Sequence, residues 1–236
     1  MDEEIDCIEK NQTWELVDFP EGKDVVTVKW IYRTKQYAEG NVQDHQARLV
    51  ARGFTQNFDI DFNETFSHVA RMDIVRTILA VAAHNKWHVY QMDVNSNFLN
   101  GYLEEEVYVE QPQGYEVLGQ EGKMYKLKKA LYGLKQPPRA WYNRIDSYLT
   151  QNGFCSSDCE PTLYIKDNKQ GNMLIVCLYV EDLLFTGDFS IDEFKSIMKN
   201  EFEMNVLGLM KYFLALKSDK PRKEYSCRSP NMHIKC

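Results

Sequence analysis

Two spacings of apolar residues divide the chain. Helical spacing predicts a short helix over Asp2–Lys10, with Ile5 and Ile8 inward, and a longer one from Asp73 to about His84 built on Ile74, Ile78, Leu79 and Val81. Pro137-Pro138 opens a third helix with Trp141, Ile145, Tyr148 and Leu149 on one face, and Gly153 stops it. Ser190-Ile191-Asp192-Glu193 carries the capping-box pattern of a fourth, to about Phe202. Between them, short apolar or alternating runs predict strands at Trp14–Val17, Val25–Lys35, His45–Phe54, His88–Val94 and Lys211–Lys217, with Gly40-Asn41 as a hairpin turn. The most continuous runs, Leu174–Val180 and Leu183–Thr186, bracket the adjacent acids Glu181 and Asp182. They read as a buried hairpin with the acids at its turn. This order predicts an antiparallel sheet with helices on one face, an α+β fold.

At 236 residues the chain holds one large domain or two small ones. No run of 18 apolar residues exists, so no membrane-spanning helix is expected. The N-terminal MDEEIDCIEK lacks the apolar core of a secretory signal, and the six cysteines show no framework spacing. A reduced, intracellular protein of cytoplasm or nucleus follows, with Cys177 as a buried strand thiol.

The net charge of −7 argues weakly against nucleic acid, but the charges are segregated. Residues 102–121 carry six acids and no Lys or Arg, whereas residues 123–144 carry seven basic residues and no acid. Lys126, Lys128, Lys129, Lys135 and Arg139 there are interleaved with Tyr125, Tyr132, Trp141 and Tyr142. Such a stretch suits a nucleic-acid strand, or it is a solvated face over core aromatics. Lys29, Arg33, Lys35, Arg48 and Arg52 form a second basic ribbon, a solvated edge or a polyphosphate grip.

Two neighbouring carboxylates on an apolar hairpin repel one another, and a hard divalent cation relieves that repulsion; the plain alternative is a solvated acidic turn. Asp93, near the end of its own strand, supplies a third acid. Three acids from two strand ends suit phosphoryl transfer with two Mg²⁺ ions roughly 4 Å apart, Mn²⁺ being a substitute. His84 and His88 have the spacing of a zinc pair, but Trp87 and the strand start spoil the helix.

Eight blocks in order then carry a family resemblance: NQTWELV, VKWIYRTK, ARLVARGFTQ, ETFSHVARMDIVRTILAVAA, QMDVNSNFLNGYLEEEVYVEQPQGY, KLKKALYGLKQPPRAWY, LYVEDLLFTGD and LGLMKYFLALK. The chain resembles the reverse transcriptase of copia-type retrotransposon Pol polyproteins over about residues 11–217. The resemblance implies a right-hand polymerase fold with fingers and palm, preceded by a lead-in helix at 1–10 and followed by a divergent tail at 218–236. It implies an RNA-directed DNA polymerase acting on an RNA or DNA template-primer and deoxynucleoside triphosphates; nothing in the pattern sets an oligomeric state. Asp93, Glu181 and Asp182 resemble the catalytic, metal-binding acids. Phe98 falls where the family places the aromatic gate at the sugar 2′ position. Arg48 and Lys35 fall at the triphosphate grip, and Gly133 lies in the loop over template and nucleotide.

The departures matter too. Glu181 stands where the family has Asp, His68 where Pro is usual, Asn97 where a small residue is usual, and Ala215 and Lys217 replace Gly and Glu. From Ser218 the resemblance stops, so thumb and ribonuclease H are expected to be absent. The chain reads as a truncated, partly degenerate copy whose activity Glu181 impairs. Alternatives are a catalytically inactive nucleic-acid-binding remnant, a repurposed gene, or an unrelated two-metal nuclease using the same acids.

Overall fold

The computed structural model describes residues 1–36, 42–59 and 61–210, with side chains over 1–34, 45–59 and 61–210, and the backbone of three short strands beyond. In chain order the elements are α1 (Asp2–Lys10), β1 (Trp14–Val17), β2 (Val25–Val26), β3 (Val28–Gln36), β4 (Val42–Ala51), α2 (Met72–Asn85), β5 (Val89–Val94), β6 (Tyr102–Val109) and β7 (Met124–Lys129). Then follow α3 (Pro137–Gln151), β8 (Cys155–Ser157), β9 (Glu160–Asp167), β10 (Met173–Tyr179), β11 (Asp182–Gly187), α4 (Ile191–Glu201), β12 (Met204–Leu209), β13 (Tyr212–Phe213), β14 (Leu216–Ser218) and β15 (Cys227–Arg228). Among the described residues this is a mixed α+β fold of four α-helices and largely antiparallel sheets. The turn expected at Gly40-Asn41 lies outside the described residues, as does part of the strand expected at 211–217.

The chain divides into two units: Met1–Ser67 with Ser96–Ile145, and His68–Asn95 with Asp146–Cys236. In the first, a four-stranded sheet runs β1-β7-β6-β2, antiparallel except where β2 pairs β6 in parallel, and β3 and β4 form a long hairpin. Its core gathers Ile5 and Ile8 of α1 with Leu49, Leu99, Val107, Leu127 and Leu131. The helix α1 suits its dipole, with Asp2, Glu3 and Glu4 in its first turn and Lys10 in its last.

The second unit holds a six-stranded antiparallel sheet, β12-β5-β11-β10-β9-β8. One face packs Val89, Ile175, Cys177 and Leu184 against Val75, Ile78, Leu79 and Ala82 of α2. On the other, Phe185 meets Phe194 of α4, with ring centroids 4.9 Å apart. The single sheet with helices on one face, expected from sequence, is therefore corrected: the chain forms several sheets, and this one is covered on both faces. The reason lies in the hairpin, where Leu174–Leu178 and Leu183–Thr186 are buried at every position. Strands apolar on both sides need two covers. The capping box at Ser190 does not form either. Ser190 is left-handed (φ 56) and makes no side-chain cap bond, whereas a side-chain N-cap needs an extended residue.

Candidate active site

The β5–β11 ladder brings two of the three acids together. Asp182, the first residue of β11, lies opposite Asp93. The Val94 N–H donates to the Glu181 carbonyl at 3.0 Å. That bond makes Asp93/Asp182 a non-hydrogen-bonded pair, the kind in which facing side chains come closest, with Cα atoms about 4.5 Å apart. On the other flank of β5, Asn205 of β12 lies opposite Asp93, so a polar row crosses three strands. Gln91, two residues before Asp93 and on the same face, donates from Nε2 to Asp182 Oδ1 at 2.9 Å.

Asp182 is half-buried, and burial pushes its carboxyl above the ordinary range while the Gln91 bond pulls it back. Tyr179 pairs with Asp182, which leaves Val180 and Glu181 as the turn. Val180 has φ 56, a region that a β-branched residue enters only under strain of about 1–3 kcal/mol. Glu181 is exposed at this turn.

Opposed carboxylates repel across a strand pair, and burial adds to the difficulty of charging Asp182. A hard divalent cation held by Asp93 and Asp182 removes both penalties, so this donor pair fits Mg²⁺ chemically. Among the described residues no three His, Cys, Asp or Glu side chains group closely enough to hold an ion. The exposed Glu181 side chain thus does not complete a three-carboxylate cage. Mg²⁺ sites commonly rest on one or two carboxylates, with substrate phosphates and water filling the octahedron.

In the first unit, Arg48 of β4 lays its guanidinium over the Tyr132 ring, Cζ 4.8 Å from the centroid. Phe98, in the 3₁₀ turn Asn97–Asn100, meets the same ring edge-on at 5.2 Å. Phe98 is half-buried rather than a sealed core aromatic. Gly133 has φ 89, and a Cβ there would lie 2.2 Å from the Ala51 carbonyl oxygen. Only glycine admits that approach, which the Ala51 N–H secures by donating to the Tyr132 carbonyl at 2.7 Å. Lys35 pairs with Asp44 along the β3–β4 ladder, and its side chain lies outside the described residues.

The basic stretch changes character on folding, because its lysines meet acids from β1 and β6. Lys126 Nζ lies 2.7 Å from Glu106 and Lys128 Nζ lies 2.6 Å from Glu15. Arg139 sits 3.7 and 3.8 Å from Glu64 and Glu104. Lys135 donates to the Gln56 carbonyl and lies over the Phe62 ring, while Lys129 lies over Tyr102. Segregation along the sequence becomes pairing in space.

Sequence reasoning passed over Gln91 and gave Tyr132 no role of its own. The alternation of β5, which puts Gln91 on the face of Asp93, is a signal that finds the first. Nothing local finds the second, since its partners come from positions 48 and 98.

Comparisons with known proteins bear on the family of the chain. A family profile described as reverse transcriptase (RNA-dependent DNA polymerase) matches residues 11–227. The chain is 40% identical over 224 residues to the retrovirus-related Pol polyprotein from transposon TNT 1-94 of Nicotiana tabacum, covering 94% of this chain and 17% of that protein. It is 38% identical over 189 residues to the Pol polyprotein from transposon RE1 of Arabidopsis thaliana, covering 80% and 13%. It is 27% identical over 208 residues to the transposon Ty1-NL2 Gag-Pol polyprotein of Saccharomyces cerevisiae, covering 87% and 12%. The chain spans less than a fifth of the length of these relatives.

Proposed function

The chain belongs to the reverse transcriptase (RNA-dependent DNA polymerase) family, and we propose that it carries the nucleotidyl-transfer part of that activity, adding deoxynucleotides to a primer end along an RNA or DNA template. In this reading the second unit's sheet is the palm, and the first unit's β3–β4 hairpin belongs to the fingers. The observation that supports it most is the Asp93/Asp182 pair, fixed by ladder register at the tip of a buried hairpin. These two carboxylates, on an apolar scaffold, would hold the divalent metal. A metal bound there would supply charge neutralisation at the reacting phosphate and acidification of the attacking hydroxyl.

The chain's own residues do the rest. Gln91 holds Asp182 in orientation through its amide. Arg48 neutralises the triphosphate, and Phe98 leaves no volume for a ribose 2′-hydroxyl, so deoxynucleotides are selected. Gly133 keeps the 131–134 turn against β4. Glu181, one methylene longer than the family's Asp and set on a strained turn, presents its carboxylate off position and slows the reaction. A second reading, a folded nucleic-acid binder without catalysis, is favoured by that same exposed Glu181.

Primer extension by the whole chain, in Mg²⁺ and separately in Mn²⁺, tests the proposal, with Asp93→Asn as control. Extension lost in the control sustains it. Strand cutting without extension points to a nuclease, and binding without extension to the second reading.

A further inference from the structure

We infer that Tyr132 is a positioning residue that sets Arg48 and Phe98 together, so that triphosphate affinity and sugar choice depend on one ring. The inference rests on the polymerase reading and adds a residue to it. Tyr132 follows β7 in the turn that leads to α3. Its backbone is held from two sides: the Ala51 N–H donates to its carbonyl at 2.7 Å, and the next residue, Gly133, sits against the Ala51 carbonyl. The backbone that carries the ring is therefore held against β4, the strand that carries Arg48.

Each face of this arrangement has a consequence. Arg48 Cζ lies 4.8 Å from the ring centroid, within the range at which a guanidinium is attracted to an aromatic face. A long side chain ordered before a nucleotide arrives loses less freedom on binding it. The Phe98 ring lies 5.2 Å from the Tyr132 ring at 62°, the edge-to-face geometry that aromatic pairs prefer. It comes from a different segment, the 3₁₀ turn after β5, and is only half-buried. Tyr132 thus restrains a cation and a gate that are 50 residues apart in the chain.

Removing the ring should loosen both at once, a pattern that damage to either partner alone does not give. The experiment measures equilibrium binding of dCTP and CTP to the whole chain in Mg²⁺ buffer, by competition with a fluorescent deoxynucleotide. Parent, Tyr132→Leu, Tyr132→Phe, Arg48→Ala, Arg48→Lys and Phe98→Ala are compared. Tyr132→Leu should weaken dCTP roughly 3- to 10-fold, the loss of one cation–π contact, and bring the dCTP/CTP ratio towards one. Tyr132→Phe keeps the ring and should restore both values. Arg48→Ala should weaken both nucleotides together, and Phe98→Ala should change mainly their ratio.

If Tyr132→Leu binds like the parent while Arg48→Ala loses affinity, the inference is overturned and the polymerase reading stands. If the parent binds neither nucleotide, or Arg48→Ala and Phe98→Ala change nothing, that reading falls and the inference with it. Should Tyr132→Leu fail to fold, Arg48→Lys decides, because it keeps the charge but loses the flat stacking surface. A several-fold loss in Arg48→Lys supports the inference, and parent-like binding overturns it.

Discussion

Gly133→Ala separates a steric requirement from a merely conformational one. A Cβ at position 133 would lie 2.2 Å from the Ala51 carbonyl oxygen and 2.5 Å from Val50 Cγ1. Ala51 is itself held by its pairing with Val28 and by its N–H bond to the Tyr132 carbonyl, so a backbone must move by about 1 Å to reach ordinary contact distance. Overpacking of that kind costs about 1–3 kcal/mol. The positive φ of 89 adds about 1–2 kcal/mol for an L-residue. Gly22→Ala is the matched control: its φ is 79, and nothing lies within 4 Å of its Cβ position. Subtracting the control cancels both the backbone term and the reduced entropy of the unfolded chain, which leaves the overpacking. The assay is urea unfolding followed by tryptophan fluorescence, since Trp14, Trp30 and Trp141 all lie in the first unit. At an m-value of about 1–3 kcal/mol/M, Gly133→Ala should unfold roughly 0.5–2 M earlier than Gly22→Ala. Equal midpoints would refute the claim that the 131–134 turn is wedged against β4.

Burial raises the Asp182 carboxyl above its unfolded value, so the folded state binds its proton more readily. The resulting penalty is absent below the unfolded pKa of about 3.9 and complete above the folded one, so this group's contribution to stability falls as pH rises between them. The difference in urea midpoint between Asp182→Asn and parent should therefore grow in the variant's favour with pH; a flat difference refutes the assignment. Glu106→Gln frees Lys126 and Lys23, so single-stranded oligonucleotide should bind more tightly, its log–log salt slope steepening by about 0.7 per cation gained; unchanged affinity means these lysines do not face the strand. Glu181→Asp should raise the extension rate, on the order of 10²-fold if the carboxylate moves about 1 Å into place, and an unchanged rate in an active parent removes Glu181 as the impaired ligand. Asn97 is 1% exposed with both amide atoms unpartnered, so Asn97→Leu, close in shape and without the unmet polar atoms, should stabilise the fold by about 1–3 kcal/mol; a lower urea midpoint would show that the amide is satisfied.

Much of the fold was legible because it is local. The four helices announce themselves through spacing and breakers, and the hairpin through two apolar runs. The strand β6 was not legible, since Tyr102–Val109 runs three acids together where a strand pattern expects alternation, and β7, which does alternate from Tyr125 to Lys128, is masked by the surrounding lysines of the basic stretch. Their bulge between Tyr102 and Val107 interrupts the period further. The meaning of their charge was hidden for the same reason: Lys126 and Glu106 are neighbours only once the two strands pair. At the site, Asp93, Glu181 and Asp182 were readable as acids at strand ends. Which two face each other depends on register, a property of three strands at once.

Register is also what makes the placement of the two aspartates robust. A slip of one residue between β5 and β11 would turn Asp182 to the face that holds Phe185 and Phe194, and would replace a polar row by an apolar one. The slip is opposed at both ends of the ladder. Near the tip, Gln91 donates to Asp182. At the other end, the buried Thr186 donates from Oγ1 to the His88 carbonyl at 2.9 Å, a bond that a slipped strand leaves unmet inside the protein. Gly187 sits where any Cβ would lie 2.2 Å from the Met173 carbonyl oxygen, so the β10–β11 hairpin has its own fixed base. The two aspartates are thus placed by backbone pairing, and the strain at Val180 is carried by a ladder over-determined along its length. The Glu181 carbonyl still accepts from Val94, but its side chain stands exposed on the turn, one residue beyond the Asp93/Asp182 pair. On the proposed reading, a longer side chain there changes where a carboxylate is presented without touching the paired strands, so Glu181→Asp is expected to change the rate and leave the urea midpoint in place.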